Sequence, residues 1–127
     1  AGLTVLVIDD DVDGRELVGS VLSDCGLQVI SAGNAIEGLA ALQRSKPDLL
    51  LSDIGLPGED GYSLIRKVRA LPHEQGGGIP AAALTAYARI EDRRKALDAG
   101  YMMHLSKPIE PAELVAVVTN LLRFAAR

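Results

Sequence analysis

Leu49-Leu50-Leu51-Ser52-Asp53 is a short apolar run that ends on an acid. Its leucines do not alternate with polar residues, so both faces of the strand they predict must be covered. A strand of that kind, set between helical segments, belongs to a parallel sheet with helices on either side. Comparable runs occur at Leu3–Ile8, Leu27–Ile30, Ile79–Leu84 and Tyr101–Leu105. Between them lie longer stretches with helical periodicity. The first carries Leu17, Val18, Val21, Leu22 and Cys25 on one face and stops at Gly26. The second opens on Asn34 and Glu37, a variant of the capping box, and presents Ile36, Leu39 and Ala40. The third sets Leu64, Ile65, Val68 and Leu71 at helical spacing and ends at Pro72. The fourth is short and polar, over Ile90–Ala99, and ends at Gly100. The last starts at Pro111 and turns Leu114, Val115, Val118, Leu121 and Leu122 inward. This alternation predicts an α/β, doubly wound single domain over residues 1–127. The stretch His73–Gly78 ends in three glycines and reads as a mobile surface connection.

Composition agrees with one globular domain: 127 residues, 48 % hydrophobic and 24 % charged. Aromatics are only 3 %, so the core must be aliphatic. A net charge of −4 offers no broad attraction to nucleic acid or to an anionic membrane. No apolar run approaches the roughly 18 residues that span a bilayer, and no signal peptide precedes the first strand. The lone Cys25 excludes an intramolecular disulfide, suits a reducing cytoplasm and falls on an apolar helix stripe, as a packing residue. A start at Ala1 rather than Met is read as processing or excision from a longer protein.

In open α/β sheets, ligands bind beyond the carboxyl ends of the strands. The polar residues that follow the apolar runs are therefore the informative ones. Asp9, Asp10 and Asp11 follow the first, Asp53 the third, Thr85 the fourth, and Ser106 and Lys107 the fifth. Carboxylates brought together repel one another unless a cation neutralises them. A hard divalent ion such as Mg²⁺ takes oxygen ligands and keeps several waters. One carboxylate can then attack phosphorus and form an aspartyl phosphate. Such a transfer needs positioning and charge neutralisation, which a lysine ammonium and a hydroxyl supply. Asp9, Asp10, Asp53, Lys107 and Thr85 make up that set. Taken singly, each has a plainer reading: Asp9 and Asp10 as helix caps, Thr85 as a strand end, Lys107 as a surface charge. Asp11 and Asp13 read as capping or solvated charges. The triple glycine lacks the Lys-Ser/Thr of a nucleotide phosphate loop.

Val5-Leu-Val-Ile-Asp9-Asp10, Asp53-Ile-Gly-Leu-Pro57 with Gly61 beyond it, Leu84-Thr85-Ala86 and Lys107-Pro108 stand in order at the predicted strand ends. Together they resemble the response-regulator receiver domain of two-component signalling, from end to end. The resemblance implies a flavodoxin-like five-stranded parallel sheet in the order 2-1-3-4-5 with five helices. It implies Asp53 as phosphoacceptor, with Mg²⁺ bound by Asp10, Asp53 and the Gly55 carbonyl and by Asp9 through water. It further implies a cis Lys107–Pro108 peptide. The donor would be a phosphohistidine on a sensor histidine kinase or a histidine phosphotransfer protein. The domain would catalyse its own phosphorylation and slow dephosphorylation, with no turnover of an outside substrate, and would switch a protein-interaction surface at the fourth helix and fifth strand. The Met-His-Leu-Ser-Lys-Pro stretch and the Glu-Pro-Ala-Glu-Leu that follows resemble receivers of hybrid sensor histidine kinases.

Two places depart from that pattern. His104 stands where receivers usually carry Tyr or Phe, so it reads either as the rotating switch group or as a strand histidine with no such role. Gly55 and Tyr87 occupy the two variable positions that tune phosphoryl hydrolysis, and their effects oppose one another. Two other functions compete. A Mg²⁺-dependent phosphatase of the haloacid-dehalogenase type also uses an aspartyl phosphate, but its signature is Asp-x-Asp-x-Thr/Val, and Asp13 stands where Thr or Val belongs. A receiver-like binding module independent of phosphorylation would not need the intact acidic set.

Overall fold

In the computed structural model, which describes residues 2–86 and 89–125, every residue of the strand Leu49–Asp53 is buried. That strand is β3, flanked in the sheet by β1 (Thr4–Ile8) and β4 (Ala81–Thr85), with β2 (Gln28–Ala32) and β5 (Met103–Ser106) at the edges. The order β2-β1-β3-β4-β5, parallel throughout, is the flavodoxin-like topology expected. The helices are α1 (Val12–Asp24), α2 (Ala35–Ser45), α3 (Gly61–Arg69), α4 (Ile90–Ala99) and α5 (Pro111–Ala125).

Successive side chains of a strand point to opposite faces, and the core divides accordingly. Leu6, Ile8 and Leu50 pack with Ala35, Ala41 and Leu42 of α2, Leu64, Ile65 and Val68 of α3, and Ala96 and Ala99 of α4. Val5, Val7, Leu49 and Leu51 pack on the other side with Val18 and Leu22 of α1 and Leu114, Val118 and Leu121 of α5. Leu49, Leu50 and Leu51 are fully buried. Each contributes about 1.5–3 kcal/mol relative to exposure. Among the described residues no helix is long and apolar enough to cross a membrane.

Local signals set the helix ends. Asn34 accepts the Glu37 amide at 2.8 Å while the Glu37 carboxylate accepts the amide of Gly33, one residue before the cap, at 3.3 Å, a variant of the capping box as expected. Asp11 and Asp60 cap α1 and α3 through the amides of Asp13 and Ser63. Gly26, at φ +88°, takes the left-handed turn that ends α1, and the Leu27 amide closes back on the Leu22 carbonyl at 3.1 Å.

Five face assignments need correction. Cys25 is the C-cap of α1 and exposed, because the helix ends one residue before it. On α2, Ile36 is 78 % exposed and Ala40 also faces solvent, whereas Ala35, Gly38, Ala41 and Leu42 are buried. The helix approaches the sheet along its small residues: a methyl on Gly38 would overlap the side chain of Ile8. Leu17 and Val115 likewise lie on exposed flanks of α1 and α5. The stretch His73–Gly78 folds into a short 3₁₀ turn, with the Gly77 carbonyl held by Arg69 Nη1 at 2.9 Å.

Candidate functional site

β1 and β3 are parallel neighbours with Ile8 opposite Ser52, so Asp9 and Asp53 emerge side by side at their carboxyl ends. Asp9 and Asp53 are buried, and Asp10 beside them faces solvent. One carboxylate oxygen from each of the three lies within 4.8 Å of the others. Lys107, at the end of β5, reaches across: Nζ donates to Asp9 Oδ2 at 3.1 Å and to Asp53 Oδ2 at 2.9 Å. Its backbone amide donates to the Thr85 carbonyl at 2.7 Å, and the Lys107–Pro108 peptide is cis. The remaining oxygens are held by backbone. Asp9 Oδ1 accepts the Asp11 amide at 3.0 Å, and Asp53 Oδ1 accepts the Gly55 amide at 3.1 Å. Each buried acid thus has one oxygen on the lysine and the other on an amide, which fixes both side chains.

Burial pushes the Asp9 carboxyl above its usual pKa, and the Asp11 amide and Lys107 offset this only in part. For Lys107, burial works against the charge, but the hydrogen bonds to Asp53 and Asp9 outweigh it and raise the ammonium pKa. The lysine is therefore charged. Three carboxylates against one ammonium leave two negative charges in excess when all are ionised. That excess, offered entirely by hard oxygen donors, fits a divalent cation. Beside the acids is a cavity of about 220 Å³ lined by Asp53, Ile54, Gly55, Thr85, Ala86 and Lys107. A larger hollow of about 290 Å³ lies at the opposite end of the sheet, among Leu42, Lys46, His73 and Ile79, and contains none of these acids.

The structure brings Asp9, Asp10, Asp53, Gly55, Thr85 and Lys107 to this one edge. Asp11 lies at its rim as the α1 cap, and Asp13 is solvated, as expected of both. Tyr87 lies outside the described residues. His104, opposite Ala83 in the β4–β5 register, is partly buried, and its Nε2 has no hydrogen-bond partner among the described residues. Burial lowers its pKa; Arg93 on α4 adds to the effect and Glu113 on α5 opposes it.

Three supporting residues were not legible beforehand. Arg15 Nη1 donates to the Asp9 carbonyl at 2.8 Å, the Ser52 hydroxyl to the Asp53 carbonyl at 3.1 Å, and the Tyr101 hydroxyl to the Gly61 carbonyl at 2.7 Å. Their partners are backbone atoms, for which sequence spacing carries no signal.

The family model for the response regulator receiver domain matches residues 5–119. The chain belongs to the response regulator receiver family. Receivers are the phosphoacceptors of two-component signalling, and that is the function this membership gives the chain. An uncharacterised 14.6 kDa protein of Leptolyngbya boryana is 48 % identical over 118 residues, covering 93 % of this chain and 88 % of that one. The transcriptional regulatory protein GltR of Pseudomonas aeruginosa is 38 % identical over 124 residues, 98 % of this chain but 50 % of GltR. The chain thus spans half the length of that regulator. The crystal structure of a candidate response regulator from Chloroflexus aurantiacus superposes with a TM-score of 0.91 at 36 % identity, over 100 % of both chains. These comparisons lend no support to the haloacid-dehalogenase reading.

Proposed function

We propose that this receiver is phosphorylated on Asp53 by a partner phosphohistidine in a Mg²⁺-dependent transfer. The observation that carries the reading is the Lys107 ammonium set between Asp9 and Asp53, at 3.1 and 2.9 Å, beside the open cavity. Asp53 is the acid with access to that cavity. A carboxylate oxygen of Asp53, giving up its hydrogen bond, attacks phosphorus, a P–O bond forms as the P–N bond breaks, and the leaving imidazole takes a proton. Asp10, Asp53 and the Gly55 carbonyl would hold Mg²⁺, with Asp9 acting through water, and the ion would supply charge neutralisation for the transferring group. Lys107 then holds one phosphoryl oxygen and the Thr85 hydroxyl another. Water entering past Gly55 reverses the modification slowly.

The donor is a sensor histidine kinase or a histidine phosphotransfer protein. Residues 1–127 act as one receiver domain, and with a single cysteine the setting is the reducing cytoplasm. Phosphorylation draws Thr85 and Lys107 to the new dianion and biases the α4–β5 surface, with His104 as the group that responds. A phosphotransfer time course from a phosphorylated histidine kinase tests the assignment. The wild-type chain takes up label, Lys107→Ala does so at least about tenfold more slowly, and Asp53→Asn takes up none. Stoichiometric labelling of Asp53→Asn would sink the reading.

A further inference from the structure

Tyr101 opens the segment leading into β5, and its side chain reaches the first residue of α3. The residue is 2 % exposed, and its hydroxyl donates to the Gly61 carbonyl at 2.7 Å. Gly61 begins α3 and sits against the phosphoacceptor strand: a methyl there would overlap the Asp53 carbonyl and lie 2.8 Å from Ile54 Cα. The Gly61 amide donates to the Ile54 carbonyl at 2.9 Å, closing the loop between them into a ring. That loop holds Gly55, whose amide fixes Asp53 Oδ1. The other end of α3 is anchored to the same segment, since Arg69 Nε donates to the Gly100 carbonyl at 2.9 Å. α3 is thus held at both ends by Gly100 and Tyr101.

We propose that Tyr101 is a positioning residue of the phosphorylation site, acting through Gly61 to hold the loop of residues 54–60 in the shape that presents Gly55 and Asp53. The proposal rests on the reading of Asp53 as phosphoacceptor. Burial pushes the phenol pKa upward, so the hydroxyl remains a donor at every working pH. A phenylalanine would keep the packing and lose the hydroxyl alone, with its bond to Gly61 and its contact with Ser52.

The test compares wild type, Tyr101→Phe and Leu121→Val, the last a core substitution on α5 away from the site. Amide exchange at Gly55 and Gly61 is read in metal-free protein, Mg²⁺ affinity by titration, and phosphorylation with phosphoramidate at fixed Mg²⁺. In Tyr101→Phe, Gly55 and Gly61 exchange roughly five- to tenfold faster, the scale of one neutral hydrogen bond. Mg²⁺ affinity and phosphorylation rate fall by a similar factor, whereas Leu121→Val leaves all three near wild type. Unchanged exchange and affinity in Tyr101→Phe, or the same shifts in Leu121→Val, would overturn the proposal while leaving Asp53 in place. A wild type that neither binds Mg²⁺ nor takes a phosphoryl group would instead overturn the phosphoacceptor reading, and the role of Tyr101 with it.

Discussion

Of the three glycines that follow Asp53 in its loop, Gly55, Gly58 and Gly61, the last has the least room. A β-carbon there meets backbone on two sides, the Asp53 carbonyl and Ile54 Cα, and backbone cannot rotate away as a side chain can. Gly61→Ala is expected to cost about 1–3 kcal/mol, the range for overpacking, read as a lowered urea midpoint. An unchanged midpoint would contradict the packing described. His104 gives a second residue-scale prediction. Its pKa lies below the usual 6.5, so in the window between the two values the unfolded chain binds more protons than the folded one. The stability it contributes is complete above the unfolded value and is lost as pH falls through the folded one. The urea midpoint of His104→Phe should therefore vary less than that of wild type between about pH 7.5 and 5; parallel curves would rule this out. At this scale the acids, Thr85 and Lys107 were legible, because each is a polar residue directly after an apolar run. Tyr101 was not: it reads as one more apolar member of such a run, and only the fold reveals what its hydroxyl reaches.

Helix positions were easier to read than helix faces. The fourth helix runs over Ile90–Ala99 and stops at Gly100, as expected. In α2, Ile36 suggested the wrong side, while Leu39 packs against the core as expected. Periodicity weights bulk, whereas the contact with β1 is made along Ala35, Gly38 and Ala41, where small size lets the backbones approach. Leu42 is the one fully buried large residue on that face, 1 % exposed against 78 % for Ile36, and Leu39 packs partly against the same core. Ile36→Ser should therefore change stability by no more than about 0.5 kcal/mol. Leu42→Ala should cost about 2–5 kcal/mol. Denaturant curves in the reverse order would place α2 on its other face. Cys25 shows the same limit at a helix end: one residue of difference in where α1 stops moves the thiol from the core to solvent.

For the whole molecule, the sheet gathers charges that lie far apart in the chain. Lys107 is 98 residues from Asp9 and 54 from Asp53, and parallel pairing through the buried β3 brings them within hydrogen-bonding distance. That the strands form a parallel α/β sheet could be argued from the unbroken leucines of β3. Their order could not, since parallel pairing leaves no local mark; it came from the receiver motifs. The fold carries a cost at this edge, where burial, and to a smaller degree the charge of Asp53, pushes Asp9 toward its neutral form. A divalent ion should relieve it. At a hundredfold excess over its dissociation constant, Mg²⁺ should add about 2.7 kcal/mol of stability. Chelator should reverse the gain and Asp10→Asn should remove most of it, while equal denaturant midpoints with Mg²⁺ and with chelator would count against the metal site. The central claim is that Asp53 carries the phosphoryl group. Reduction of the phosphorylated chain with borohydride, which converts an aspartyl phosphate to homoserine, followed by peptide mass mapping, locates it directly. The modification is expected at residue 53 alone and absent from Asp53→Asn; homoserine at Asp9 or Asp10, or none at all in a chain that has taken up phosphate, would contradict the account.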